Sequence, residues 1–372
     1  MLANFSVEQS LMKAKSHAKK GELAEAQKLY ETILQNFSNN IRAQQGLAAL
    51  IKNNQNNVIQ SPPQEVVSQL VNLYNQGQFA VVTEQAKILT KQYPTALLVW
   101  NILGASSSEI GMLDEAIDAY KKSISIEPNS AAAYNNIGFT FRDQGKLEES
   151  IEAYKKAIFL NPSDCETYFN MGIALKDQGK LDEAIDAYKK AITFKPDYAQ
   201  AYNNMGIALK DQGKLEESIE AFKKSISLKP DYTTAYNNMG IALKDQNKLE
   251  ESLDAYKKAI SLKSDFAEAY DNMGVTLEKQ GNLDKAVEAH KKSILIKPDN
   301  AKAYNNLGVV LKDQDKMDEA IEAYNKAILL KPDYAEAYSN MGLALQDQGK
   351  LKNATEAFKK ALSIKPDYAE AY

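Results

Sequence analysis

The sequence predicts an all-α solenoid of helix-turn-helix units, and three observations carry that prediction. Glycines recur every 34 residues, at Gly104, Gly138, Gly172, Gly206, Gly240, Gly274, Gly308 and Gly342. Apolar residues between them fall three and four apart, the spacing of one helical face. Turn residues and prolines punctuate the period where a helix must stop. With the recurring glycine counted as the eighth position, eight contiguous units run from Leu97 to Tyr368.

Cys165–Tyr198 illustrates the elements in order. A first helix carries Tyr168, Met171 and Leu175 on one face. The turn Asp177-Gln178-Gly179-Lys180 ends it, with Gly179 suited to the left-handed conformation that follows a helix. Other units place Asn247 and Asp315 there, two residue types that tolerate that conformation. A second helix turns Leu181, Ala184, Ile185, Tyr188, Ala191 and Ile192 inward. Glu183, Asp186, Lys189 and Lys190 face out at spacings that give weak ion-pair support. Pro196 prevents continuation. Asp265-Phe266-Ala267-Glu268 and Asp333-Tyr334-Ala335-Glu336 read as caps for the next first helix. Gly172, Ala184 and Ala191 leave room for close helix approach, and Tyr168, Leu175 and Tyr188 fill the gaps. One such pair cannot bury its apolar face alone, so neighbouring units must stack.

Trp100, Leu103, Gly104, Ala116, Tyr120 and Pro128 resemble the signature of the tetratricopeptide repeat, as do Tyr304, Leu307, Gly308, Ala320, Tyr324 and Pro332. The resemblance implies a right-handed superhelix with first helices lining the concave face. It is strict over 97–368 and weaker over 63–96, a divergent repeat retaining Gly77, Phe79 and Pro94. Residues 1–62 form a degenerate repeat-like segment, with Gly21, Leu23, Ala26 and Tyr30, followed by a helix over Ile41–Ile51 and a polar linker from Asn53 to Pro63. Residues 369–372 open a further unit that stops after four residues.

Net charge is -4, with 45 basic and 49 acidic residues interspersed. No basic stretch points to nucleic acid and no apolar run is long enough to insert in a membrane. The N-terminus has no apolar core of a signal peptide, and Cys165 stands alone, so a disulfide framework is excluded and a cytoplasmic location is expected. His17 and His290 are the only histidines, and His290 stands where other units have a packing tyrosine such as Tyr256 or Tyr324. No phosphate loop and no metal-ligand spacing occurs, so no cofactor and no catalytic residue is expected.

Polar residues that recur on the exposed side of the first helix carry more functional information than the packing positions. Two places after each tyrosine lies an asparagine: Asn136, Asn170, Asn204, Asn238, Asn272, Asn306 and Asn340, with Ile102 breaking the row in the first strict unit. A primary amide both donates and accepts, so such a row can bind the N–H and C=O groups of an extended peptide without reading its side chains. The alternative, that this asparagine serves the architecture of the repeat, stands beside that reading. The row resembles the asparagine ladder of protein O-linked N-acetylglucosamine transferases, which implies peptide capture by the backbone. A charged row runs alongside: Arg142-Asp143, Lys176-Asp177, Lys210-Asp211, Lys244-Asp245 and Lys312-Asp313, inverted at Glu278-Lys279 and changed at Gln346-Asp347. These are either solvated helix ends or groups that select donor side chains of a ligand, Lys279 then marking a local change of preference. The carboxylate clamp of some chaperone-binding repeats, a lysine after the aromatic and an asparagine four places later, is disfavoured by Asn203 and Ile207, or Asn237 and Ile241.

Two functions follow: a scaffold that gathers partner proteins by extended segments, or the substrate-recognition arm of a larger glycosyltransferase-like enzyme. Without a capping helix, Ala354, Phe358, Ala361 and Leu362 are expected to expose an apolar face and allow end-to-end self-association.

Overall fold

The computed structural model describes residues 2–59 and 61–366, with side chains over 7–51 and 61–366. Every regular element among them is a helix, and the chain divides into two compact units, Met1–Asn161 and Pro162–Tyr372. The first unit holds α1 (Leu2–Lys20), α2 (Leu23–Asn36), α3 (Ile41–Ile59), α4 (Gln64–Asn75), α5 (Phe79–Gln92) and α6 (Leu97–Glu109). It continues with α7 (Leu113–Ile126), α8 (Ala131–Asp143) and α9 (Leu147–Leu160). The second holds six pairs. These are α10 (Cys165–Asp177) with α11 (Leu181–Phe194), α12 (Ala199–Asp211) with α13 (Leu215–Leu228), and α14 (Thr233–Asp245) with α15 (Leu249–Leu262). They are followed by α16 (Ala267–Lys279) with α17 (Leu283–Ile296), α18 (Ala301–Asp313) with α19 (Met317–Leu330), and α20 (Ala335–Asp347) with α21 (Leu351–Ile364). No described helix is long and apolar enough to cross a membrane.

Two glycine positions explain the repeat. At the turn, Gly179 has φ +81°, and the residues replacing glycine there, Asn247 and Asp315, adopt φ 63° and 61°. That is the left-handed conformation expected after a helix. Within the first helix, a Cβ on Gly172 would lie 2.6 Å from the Tyr188 ring, so glycine lets the aromatic of the second helix lie on bare backbone. Tyr188 is fully buried, and Ala184 and Ala191 beside it are fully buried as well. Burial of an aromatic and two small residues, alanine or serine, in each unit contributes to the packing that one pair could not build without its neighbour.

The structure corrects three expectations. α3 continues through Ile59, well into the stretch expected as linker, because nothing between Asn53 and Ile59 is a glycine or proline that would stop it. Asp265 and Asp333 do not cap their helices: Phe266 and Tyr334 occupy the N-cap position with no side-chain cap bond. Side-chain caps occur instead at Ser130, Asp164 and Asn300, where a short polar residue holds that same position. The aromatics that replace them stack under lysines, with Lys195 4.7 Å from the Tyr198 ring and Lys331 5.0 Å from the Tyr334 ring.

The third correction concerns α21. Ala354 and Ala361 are buried and Phe358 and Leu362 half-buried, so the apolar face expected to lie open is covered. Phe358 lies on Gly342 and joins Leu345, Ala354, Ala357, Met341 and, from α19, Ile321 in one cluster. The partial repeat expected over 369–372 lies outside the described residues.

Candidate functional site

In the second unit, the backbones of successive first helices (α10, α12, α14, α16, α18, α20) approach one another more closely than those of the second helices. The first helices therefore form the inner face of this unit. From α12 onward each presents two adjacent polar positions after its tyrosine, whereas α10 has Phe169 at the nearer one. The nearer one is buried between helices: Asn203, Asn237, Asp271, Asn305 and Ser339 are all at most 3% exposed. The farther one, the expected ladder of Asn170, Asn204, Asn238, Asn272, Asn306 and Asn340, is half-exposed.

The two positions are bonded to each other across repeats. Asn238 Nδ2 donates to Asn203 Oδ1 at 3.0 Å, Asn272 to Asn237 at 3.1 Å, and Asn340 to Asn305 at 3.0 Å. The buried residue can reach forward in turn, Asn237 donating to Glu268 and Asn305 to Glu336, each at 3.2 Å. The ladder amides are therefore staples between repeats as well as groups on an open face. An amide has two N–H donors and a carbonyl acceptor, so one staple bond leaves capacity for a ligand. The buried partner row is an element of the stack that the sequence did not reveal. Its signal was the doublet Tyr-Asn-Asn at 202–204, 236–238 and 304–306, in which one asparagine serves the stack and the next the face.

Asn136 belongs to the first unit. It is half-exposed and borders a hollow of about 240 Å³ with Val71, Tyr74, Asn101, Ile102 and Ala105. Asn101 Oδ1 accepts from Ser123 Oγ at 2.6 Å, which fixes that rim.

The charged row consists of neighbours that pair with one another. Nζ–Oδ1 distances are 3.0 Å for Lys176–Asp177, 2.9 Å for Lys210–Asp211 and 3.4 Å for Lys244–Asp245, and Arg142–Asp143 closes at 2.8 Å in the first unit. The carboxylates stay accessible at the helix ends, so these pairs are worth about 0–1 kcal/mol each. At the inversion, Lys279 Nζ donates back to the Lys244 carbonyl at 3.5 Å. A second missed row is the glutamine before each turn residue. Gln212, Gln314 and Gln348 donate to Asp182, Asp284 and Asp318 of the preceding second helix at 2.8 Å, and Gln144 to Asp114 at 2.6 Å.

The α16–α17 repeat departs from this scheme in its interior. His290 fills the packing position as expected, and its Nδ1 lies 2.8 Å from Asp271 Oδ1 with both groups buried. Asn306 Nδ2 is 3.2 Å from both Asp271 oxygens. Burial raises the Glu278 carboxyl above its ordinary range, His290 nearby opposing and Asp313 adding to the effect. Burial likewise pushes the phenols of Tyr198 and Tyr334 up to about 12. Among the described residues no three His, Cys, Asp or Glu side chains converge as metal ligands.

Comparison with known proteins places these features. The family described as TPR repeat matches residues 109–141, 140–179, 174–213, 208–246, 242–281 and 310–349. Families described as tetratricopeptide repeat match 265–328 and 335–368. Among solved structures, MamA is 32% identical over 44% of this chain and 95% of its own, with a TM-score of 0.42. YrrB, described as a TPR protein with an unusual peptide-binding site, is 26% identical over 50% of this chain and 96% of its own, with a TM-score of 0.41. The Cut9–Hcn1 hetero-tetramer of the APC/C is 14% identical over 98% of this chain and 88% of its own, with a TM-score of 0.53, a likeness of fold alone. No curated protein matches the sequence.

Proposed function

The chain belongs to the tetratricopeptide-repeat family, and from that premise we propose that it is a non-catalytic interaction scaffold binding extended peptides along its first helices. The observation that carries this reading is the row Asn204, Asn238, Asn272, Asn306 and Asn340, half-exposed at a constant spacing. The staple bonds support it further. An amide already held by the preceding repeat loses little freedom when a ligand arrives, and such preorganisation lowers the cost of binding. Each bond to a peptide N–H or C=O is worth about 0.5–1.5 kcal/mol, so several in register give micromolar affinity after the ligand is ordered. Asp143, Asp177, Asp211 and Asp245, with Lys176, Lys210 and Lys244, lie where they would choose between ligand side chains. A cytoplasmic location fits this role.

The test is a peptide selected from a random library on the immobilised chain, then remade with N-methylated backbone amides. Methylation should abolish binding, and Asn170, Asn204, Asn238 and Asn272 changed together to alanine should do the same at unchanged helicity. Binding that survives both changes overturns the backbone reading. The second reading, a recognition arm of a larger glycosyltransferase-like enzyme, rests on the resemblance of the same row. The coding sequence after Tyr372 decides it.

A further inference from the structure

A groove of about 570 Å³ lies between α15 and α17, on the side of the repeats opposite the asparagine row. Its floor is apolar, formed by Leu253, Tyr270, Met273 and Leu277. The equivalent groove two repeats earlier has the same floor in Tyr202, Met205 and Leu209 but measures about 440 Å³. Two residues of the α16–α17 repeat distinguish the pair.

The first is Asn282. Other repeats of this unit place a lysine there, and Lys214 and Lys350 lean 3.9 Å from Asp182 and Asp318 on the preceding second helix. Asparagine cannot reach across, and the groove beside it is the larger of the two. The second is Lys285, which stands where four of the others have Glu183, Glu217, Glu251 and Glu319 and the last has Asn353. The earlier groove is rimmed by Lys189 and Lys224 against Glu216, Glu217 and Glu220, a net negative rim. The larger one has Lys257, Lys285 and Lys292 against Glu250 and Glu288, a net positive rim. Lys257 is paired with Asp254 at 3.0 Å, while Lys285 and Lys292 make no ion pair among the described residues, and Glu250 accepts a bond from Gln280. One repeat thus carries both the shorter side chain beside the larger groove and the change that reverses its sign.

We propose that this groove is a second binding site, for an acidic peptide segment that places an apolar side chain on Leu253 and Met273 between carboxylates facing Lys285 and Lys292. The site depends on neither the asparagine row nor backbone readout. Its charges face solvent, so binding weakens as salt is raised.

The experiment uses the full chain and a fluorescein-labelled peptide of alternating glutamate and leucine, read by fluorescence anisotropy at low salt. A glutamine-for-glutamate peptide is the comparison. Lys285→Glu and Asn282→Lys each restore what neighbouring repeats carry, so the fold is kept, and circular dichroism verifies it. Lys285→Glu should weaken the glutamate peptide about tenfold or more, since it changes the local charge by two, and Asn282→Lys should weaken it less, its added charge partly offsetting the lost room. Lys214→Asn with Glu217→Lys should build a second site and raise the stoichiometry from one to two. Unchanged affinity in both groove variants, equal binding of the glutamine peptide, or a stoichiometry that stays at one overturns the proposal.

Discussion

Thr233–Phe266 and Ala267–Asn300 are adjacent repeats with the same helix lengths and the same turn, yet their interiors are built from different chemistry. In the first, Tyr256 fills the buried aromatic position and the staple runs from amide to amide, Asn272 to Asn237. In the second, His290 replaces the tyrosine, Asp271 replaces the asparagine, and the staple from Asn306 ends on a carboxylate. The two replacements belong together, because a buried carboxylate needs a partner and the imidazole offers a ring nitrogen, Nδ1, where a tyrosine ring has only carbon. A repeat array tolerates such an exchange because each unit touches only its neighbours, so a polar interior can be confined to one unit.

The largest expected effect breaks that pairing. His290→Tyr alone leaves Asp271 buried beside Asn306 only and should cost about 3–5 kcal/mol, while His290→Tyr with Asp271→Asn recreates the neighbouring repeat and should be close to neutral. Urea unfolding monitored at 222 nm measures both, and strictly additive effects would contradict the coupled reading.

Next in size is the packing that both repeats share. A Cβ on Gly240 would meet the Tyr256 ring at 2.5 Å, and one on Gly274 the His290 ring at 2.6 Å. Gly240→Val and Gly274→Val should each lose about 1–3 kcal/mol by overpacking. A thermal melt unshifted by either change would show that the ring yields freely.

The staples should rank by the charge of their acceptors. Asn306→Ala removes bonds to a carboxylate and should cost about 2 kcal/mol, against about 1 kcal/mol for Asn272→Ala, whose acceptor is a neutral amide. Equal losses in denaturant unfolding would mean that the Asp271 charge is spent wholly on His290.

The smallest effect is a pH slope. Because burial raises the Glu278 carboxyl in the folded chain, the folded state holds its proton to higher pH than the unfolded state does. Stability from this group is therefore fullest in acid and declines as pH rises through the carboxylate range. Glu278→Gln should remove that decline, matching the wild type near pH 3 and exceeding it slightly at pH 7. A wild type more stable than the variant at neutral pH would reverse the sign.

Much of this was legible in the sequence. The 34-residue glycine period, the turn glycines with their Asn247 and Asp315 substitutes, and the packing role of His290 are consequences of local backbone preference and helical periodicity. The asparagine row was visible for the same reason, as a polar residue returning at a fixed register. Its partner row was not, since Asn237 and Asn272 are separated by 35 residues and only stacking brings them to 3.1 Å. The caps at Asp265 and Asp333 were misread because local propensity favours aspartate at a helix start, whereas the chain places an aromatic at the cap and a lysine over its ring.

Periodicity by itself determined that this chain is a stack of helical pairs and which face of each helix is apolar, because helix geometry fixes which residues share a face. Only the tertiary structure decided which polar groups spend themselves holding repeats together and which remain open. That division depends on contacts one full repeat apart, and on which side chain reaches its neighbour first.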